Sequence, residues 1–240
     1  MEVKSYSAFV KKAMPESKVA SAKRCIVGHY LLRPVVHVVS IPLVRMDVSA
    51  LLITKLSALV VALALFAFLI AQTLEGFIIA WLLLLVWNVL DGVDGDIARY
   101  TDTASPLGAL WDSTVGWFAA VVFYIGMGAA AFRLPGAINC EPLRDYYLFL
   151  GCICSLSWTF PRLVMHKKLG LFNRESVAAV QDREHFGPIK LIFFNVTSIN
   201  GFGALIFLAS MCLGLNDICL FVYTGLSLAM ACASCYTLLR

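Results

Sequence analysis

The chain has 240 residues, 60% hydrophobic and 14% charged, with a formal net charge of +4. Soluble domains average about 45–50% apolar and about 25% charged, so the composition excludes a soluble enzyme and a disordered chain. With no basic stripe, it also excludes a nucleic-acid binder. The chain reads as a membrane protein, and its fifteen acids are unevenly spread: Asp91, Asp94, Asp96, Asp102 and Asp112 crowd one short stretch between hydrophobic runs.

Residues 1–50 are read as a cytoplasmic or interfacial segment. Pro15, Pro34 and Pro42 are expected to break it into short pieces, and Val19 to Tyr30 mixes apolar residues with Lys23 and Arg24 as an interfacial amphipathic helix does. Residues 1–30 lack a compact apolar core followed by a cleavage site, so no signal peptide is expected. A membrane domain over 51–240 follows, since each crossing needs about 20 apolar residues. Spans are expected near 51–72, 76–98, 107–132, 146–166, 189–213 and 217–238. The predicted fold class is therefore an all-α integral membrane protein with six transmembrane helices and an N-terminal interfacial helix.

Lysines and arginines crowd the N-terminal segment and the loop after the fourth span, whereas the opposite loops hold Arg133 and Arg144. By the positive-inside rule both termini are expected to be cytoplasmic, and the acid cluster with them. The eight cysteines lie mostly inside spans. Cys232 and Cys235 have a redox-like spacing but no second pair, and are read as packing residues.

Aspartates inside a span are costly, about 2.5–3.5 kcal/mol each, so several together call for a partner. At about 100° per residue, Asp94 lies about 60° from Asp91 around the second span, with Gly95 and Ala98 within about 40° of Asp91. These residues share a face that ends in a groove of small side chains. Asp96 falls about 140° away and is read as a solvated or interfacial charge. On the third span Asp112 lies about 40° and Gly116 about 80° from Gly108. Asp91, Asp94 and Asp112 can thus converge as hard oxygen ligands for Mg²⁺ or Mn²⁺. A proton or cation pathway uses similar acids, and spacing alone leaves both readings open.

The order of residues is more specific. Asp91-Gly92-Val93-Asp94-Gly95-Asp96-Ile97-Ala98-Arg99, then Gly108 and Asp112, resembles the signature of the CDP-alcohol phosphatidyltransferase family, with seven of its eight fixed positions matched. Arg33-Pro34 and Thr54 resemble pieces of the stretch leading into the family's first span, although the Pro-Asn that often precedes the Thr is Ala50-Leu51 here. The resemblance implies a six-helix, usually dimeric membrane enzyme that moves a substituted phosphate from a CDP-linked donor to an acceptor hydroxyl and releases CMP. By position it assigns Asp91, Asp94 and Asp112 to the metal. Asp91, Asp94, Gly95, Ala98, Arg99 and Gly108 fall to the nucleotide, with Arg99 holding the donor or ordering the motif loop.

The last aspartate of the signature, the family's expected general base and second-metal ligand, is Gly116 here. A lost base costs about 10²–10⁴ in rate. Three explanations compete. Another base could serve, with Asp102, Glu184 or His185 as candidates. The acceptor could be already ionised, a phosphate, phosphonate or carboxylate. Or the protein is a silent relative that binds nucleotide or lipid. For an anionic acceptor, Arg162 and Lys190 are the expected ligands.

Overall fold

The computed structural model describes residues 5–138, 141–171 and 186–240. Helices α1 (Tyr6–Ala13), α2 (Glu16–Lys23) and α3 (Arg33–Arg45), with a π-helical turn Gly28–Leu32 leading into α3, form the N-terminal segment. Then come α4 (Ala50–Ile70), α5 (Leu74–Tyr100), α6 (Pro106–Arg133), the single turn α7 (Glu141–Arg144) and α8 (Tyr147–Leu171). The last elements are α9 (Pro188–Thr197), a π-helical segment Ile199–Gly203, α10 (Ala204–Leu213) and α11 (Asn216–Leu239). Helices α4, α5, α6, α8 and α11 are each long and apolar enough to cross a membrane. The bent pair from Pro188 to Leu213 passes the same test as a unit and makes a sixth where it crosses as one span.

Helix starts follow from local chemistry. Ser49, Thr73 and Ser105 accept from the backbone N–H three residues on, capping α4, α5 and α6. At the opposite end Arg133 Nη1 donates to the carbonyls of Phe68, Leu69 and Ala71, which α4 leaves unpaired where it stops. The core is built on Phe68, Phe77, Leu84, Phe123, Met127 and Phe207.

Helices α6 and α8 cross at Gly128 and Gly151. A Cβ on Gly128 would stand 2.8 Å from the Tyr147 carbonyl oxygen and 3.1 Å from Gly151 Cα, so any side chain there must force the helices apart. Gly128→Val is expected to destabilise the protein by about 1–3 kcal/mol or more, read as a lowered Tm in detergent. Gly225→Ala, whose Cβ meets nothing within 4 Å, should leave it unchanged.

Two features differ from the sequence reading. The expected fifth span is broken, its halves bent by 46°. Ser198 is extended (ψ 145°) and Gly201 is non-helical (φ −101°, ψ −147°). Carbonyls exposed by a break inside a membrane need new donors, and tyrosines of two neighbouring helices supply them. Tyr124 donates to Thr197 O at 2.9 Å and Tyr223 to Val196 O at 2.7 Å, while Trp81 Nε1 donates to Ala204 O at the start of the next helix at 2.8 Å.

In the N-terminal segment not every proline is a break. Pro15 does precede α2, but Pro34 sits in the first turn of α3 and Pro42 lies inside it. The carbonyl that Pro42 leaves without a donor belongs to Val38, an exposed residue, where another partner can reach it. Helices α1 and α3 pack on α5 through Phe9, Ala13, Val36, Val44, Val93 and Ile97. Beyond α2, Asn195 of α9 accepts from Ile26 N and donates to Arg24 O, and Arg24 donates to Phe186 O. The segment thus reaches from α5 to α9.

Candidate active site

A cavity of about 550 Å³ opens between the start of α4, the last turns of α5 and the first turns of α6. Asp94, Gly95, Ala98, Arg99, Gly108 and Asp112 all stand on its wall. The helical periodicity of α5 and α6 and the short Thr101–Ser105 connection bring them together. Asp94 is 5% exposed and accepts from Thr54 Oγ1 of α4 at 2.6 Å. Thr54 also lines the cavity. Asp112 is exposed into it.

Asp91, a turn deeper on α5, is partly buried and does not reach the cavity wall, but it lies within electrostatic reach of Asp94 and Asp112. Among the described residues, no three His, Cys, Asp or Glu side chains close on one point tightly enough to hold an ion by themselves. In kind, the donors still fit a hard divalent cation. Mg²⁺ binds through one or two carboxylates and completes its shell with water and substrate phosphate.

Gly116 lies one turn beyond Asp112, and a Cβ built on it meets nothing within 4 Å. The missing acid is therefore not excluded by packing.

Asp96 is not a solvated charge. It is 0% exposed, covered by α3, and its Oδ1 accepts from Arg33 Nη1 at 3.1 Å and Arg99 Nη2 at 2.9 Å. Its Oδ2 lies 2.6 Å from His37 Nδ1 and 3.5 Å from Ser40 Oγ. The face of α5 opposite the cavity meets a helix instead of water, and Arg33 of that helix, with Arg99 of α5 itself, offsets the burial of the carboxylate. Arg99 Nε also donates to the Ala13 carbonyl at the end of α1. Its Nη1 lies 2.9 Å from where a Cβ on Gly95 would be. The small residue at 95 therefore makes room for this guanidinium as well as for the cavity.

The three candidate bases fare differently. Asp102 is exposed, pairs with Lys12 Nζ of α1 at 2.7 Å and does not line the cavity. Glu184 and His185 lie outside the described residues. Cys232 and Cys235 are free thiols.

Arg162 and Lys190 share a second cavity of about 250 Å³, with Tyr124, Ser157, Ser198 and Ser227 also on its wall. Among the described residues, none lines both cavities. Arg162 is stacked on Trp158 and donates to its carbonyl at 2.7 Å. Lys190 Nζ lies 4.1 Å from the centre of the Phe186 ring. At the break after α9, Ser198 Oγ is buried with no hydrogen-bond partner among the described residues.

The family model of CDP-alcohol phosphatidyltransferases matches residues 48–232. The chain belongs to this family. Comparison with curated proteins finds no match. CDP-alcohol phosphatidyltransferases transfer phosphate-bearing groups from a CDP-alcohol and are generally dependent on divalent metal. Of the residues that match the signature, Asp94, Gly95, Ala98, Arg99, Gly108 and Asp112 stand on the cavity wall, and Asp91 lies a turn deeper. Sequence reasoning missed Asp96 and its partners, although Arg33, His37 and Ser40 are spaced as one polar stripe along a helix.

Proposed function

We propose that this chain is a membrane transferase that moves a substituted phosphate from a CDP-linked donor to an acceptor that is already ionised, releasing CMP. The observation that carries this reading is the motif cavity itself, which gathers Asp94, Gly95, Ala98, Arg99, Gly108 and Asp112 on one wall; Gly116, one turn beyond Asp112, is not on that wall, but a Cβ there meets nothing within 4 Å among the described residues. The donor's cytidine and diphosphate lie along the small face of α5, and Arg99 faces the phosphates. Asp91, Asp94 and Asp112 would hold Mg²⁺ or Mn²⁺, which when bound neutralises the diphosphate and the departing CMP.

An acceptor oxyanion forms the new bond to the phosphorus that carries the alcohol. The bond from that phosphorus to the bridging oxygen breaks, and CMP leaves with that oxygen. No proton has to be removed from such an acceptor, which suits a site with glycine at 116. Arg162 and Lys190, with the unpartnered hydroxyl of Ser198, are suited to an anionic group. The basic N-terminal segment supports a cytoplasmic placing of both termini and of this site, and the family resemblance supports a homodimer.

Calorimetric titration of the purified protein with CDP and Mn²⁺ tests the donor site. Saturable binding that disappears when Mn²⁺ is omitted is expected, and absence of any CDP binding would remove the proposal. Arg162→Gln should raise the KM for a phosphomonoester acceptor about tenfold, the worth of one charge-assisted contact, and leave CDP affinity unchanged. An unchanged KM would take Arg162 out of the acceptor site. Gly116 favours a second reading, a silent relative that binds CDP-linked molecules, for which CDP binds and no CMP is ever released.

A further inference from the structure

The most concentrated charge in the described structure outside the motif acids is the cluster on Asp96. Two guanidiniums, Arg33 of α3 and Arg99 of α5, converge on one fully buried carboxylate, with His37 Nδ1 at 2.6 Å. Stability does not require it. Buried ion pairs are often matched or bettered by apolar residues of the same volume, and Val36, Val44, Ile53, Val93 and Ile97 already bury the contact of α3 and α4 with α5.

The cluster does fix one thing that faces the cavity. Arg99 is held at Nη2 by Asp96 and at Nε by the Ala13 carbonyl, with Nη1 over Gly95 on the cavity wall. A flexible side chain with two of its nitrogens tied has little freedom left, so its charge is set before a ligand arrives. Guanidiniums outnumber the carboxylate in the cluster, which leaves positive charge beside a cavity whose other charged lining residues are Asp47, Asp94 and Asp112.

Helix α1 is docked at the same point. Phe9 is fully buried, with its ring centre 4.8 Å from that of Tyr100 and 6.2 Å from that of His37. Lys12 pairs with Asp102.

We propose that Asp96 is a positioning residue for Arg99, and that helix α1 completes the donor site by holding the same guanidinium through the Ala13 carbonyl. This rests on the proposed role of Arg99 toward the donor's phosphates. Asp96 touches no substrate. It acts through Arg99, and the N-terminal segment is thereby part of the donor site.

The test is a double-mutant cycle read as CDP affinity in the presence of Mn²⁺, with Tm followed in parallel. Asp96→Asn is expected to weaken CDP about tenfold in the wild-type background and less than twofold in an Arg99→Ala background. A merely structural role would cost the same in both. Phe9→Asp, which undocks α1 without touching a span, should show the same pattern and decides the matter if Asp96→Asn does not fold. Equal losses in the two backgrounds, or no loss from any of these changes, would overturn the inference. If the wild type binds CDP but Arg99→Ala binds it equally well, this inference falls together with the role of Arg99, and the donor site itself stands. A wild type that binds no CDP overturns the donor site and the inference together.

Discussion

Asp94→Asn is expected to lower metal-dependent CDP binding by at least about 10²-fold and CMP release by about 10³-fold, the scale of a removed stabiliser of transition-state charge. Asp94 is nearly buried between α5 and α4, and the Thr54 hydroxyl holds one of its oxygens at 2.6 Å. Asparagine preserves the shape and can accept the same hydrogen bond through its amide oxygen, so the fold should persist while the charge is lost. Thr54→Val separates the carboxylate's charge from its orientation. It keeps Asp94 ionised but removes the donor that aims it, and a loss of about 10–100-fold in metal affinity is expected, as for other groups that orient a ligand. Titration of CDP against protein with Mn²⁺ checks both variants. Equal binding by Asp94→Asn and the wild type would mean that the cavity does not use this carboxylate.

The second large effect is a gain. Gly116→Asp is expected to raise CMP release with alcohol acceptors by about 10²–10⁴, the contribution of a positioned general base. The change should be tolerated, because a Cβ at 116 meets nothing within 4 Å and the position lies one turn beyond Asp112 on α6. Helix propensity does not oppose it, since Asp is no worse than Gly in a helix interior. With a phosphomonoester acceptor the gain should be small, because that oxygen has no proton to give up. A variant that folds, binds CDP and releases CMP no faster with any alcohol would show that position 116 is not where a base acts.

Much of this site was legible from period and order alone. The 3.6-residue repeat places Asp94, Gly95 and Ala98 on one face of α5, and the order of fixed residues supplies the chemistry that the repeat leaves open. What the repeat cannot say is what meets the other face. On sequence Asp96 therefore reads as a solvated charge, whereas α3 covers it and brings Arg33, His37 and Ser40 against it. Those three residues are spaced four and then three apart, a polar stripe that a helix-first reading of residues 33–45 could have found. Reading Pro42 as a break hid it.

The bend after α9 had a signal too. Ser198, Asn200, Gly201 and Gly203 fall together inside an apolar run, the composition of a breaker. The hydropathy of the run conceals it. The contact of Thr54 with Asp94 had none, because a single threonine in an apolar span shows its partner only once the helices are packed.

The most direct test of the account is CMP release by the purified full chain in detergent or vesicles, given CDP-linked donors, Mn²⁺, and matched acceptors that differ only in carrying a hydroxyl or a phosphomonoester. The account predicts CMP release that requires Asp94 and runs faster with the phosphomonoester. Saturable CDP binding with no CMP released for any acceptor, in the wild type and in Gly116→Asp alike, would contradict it.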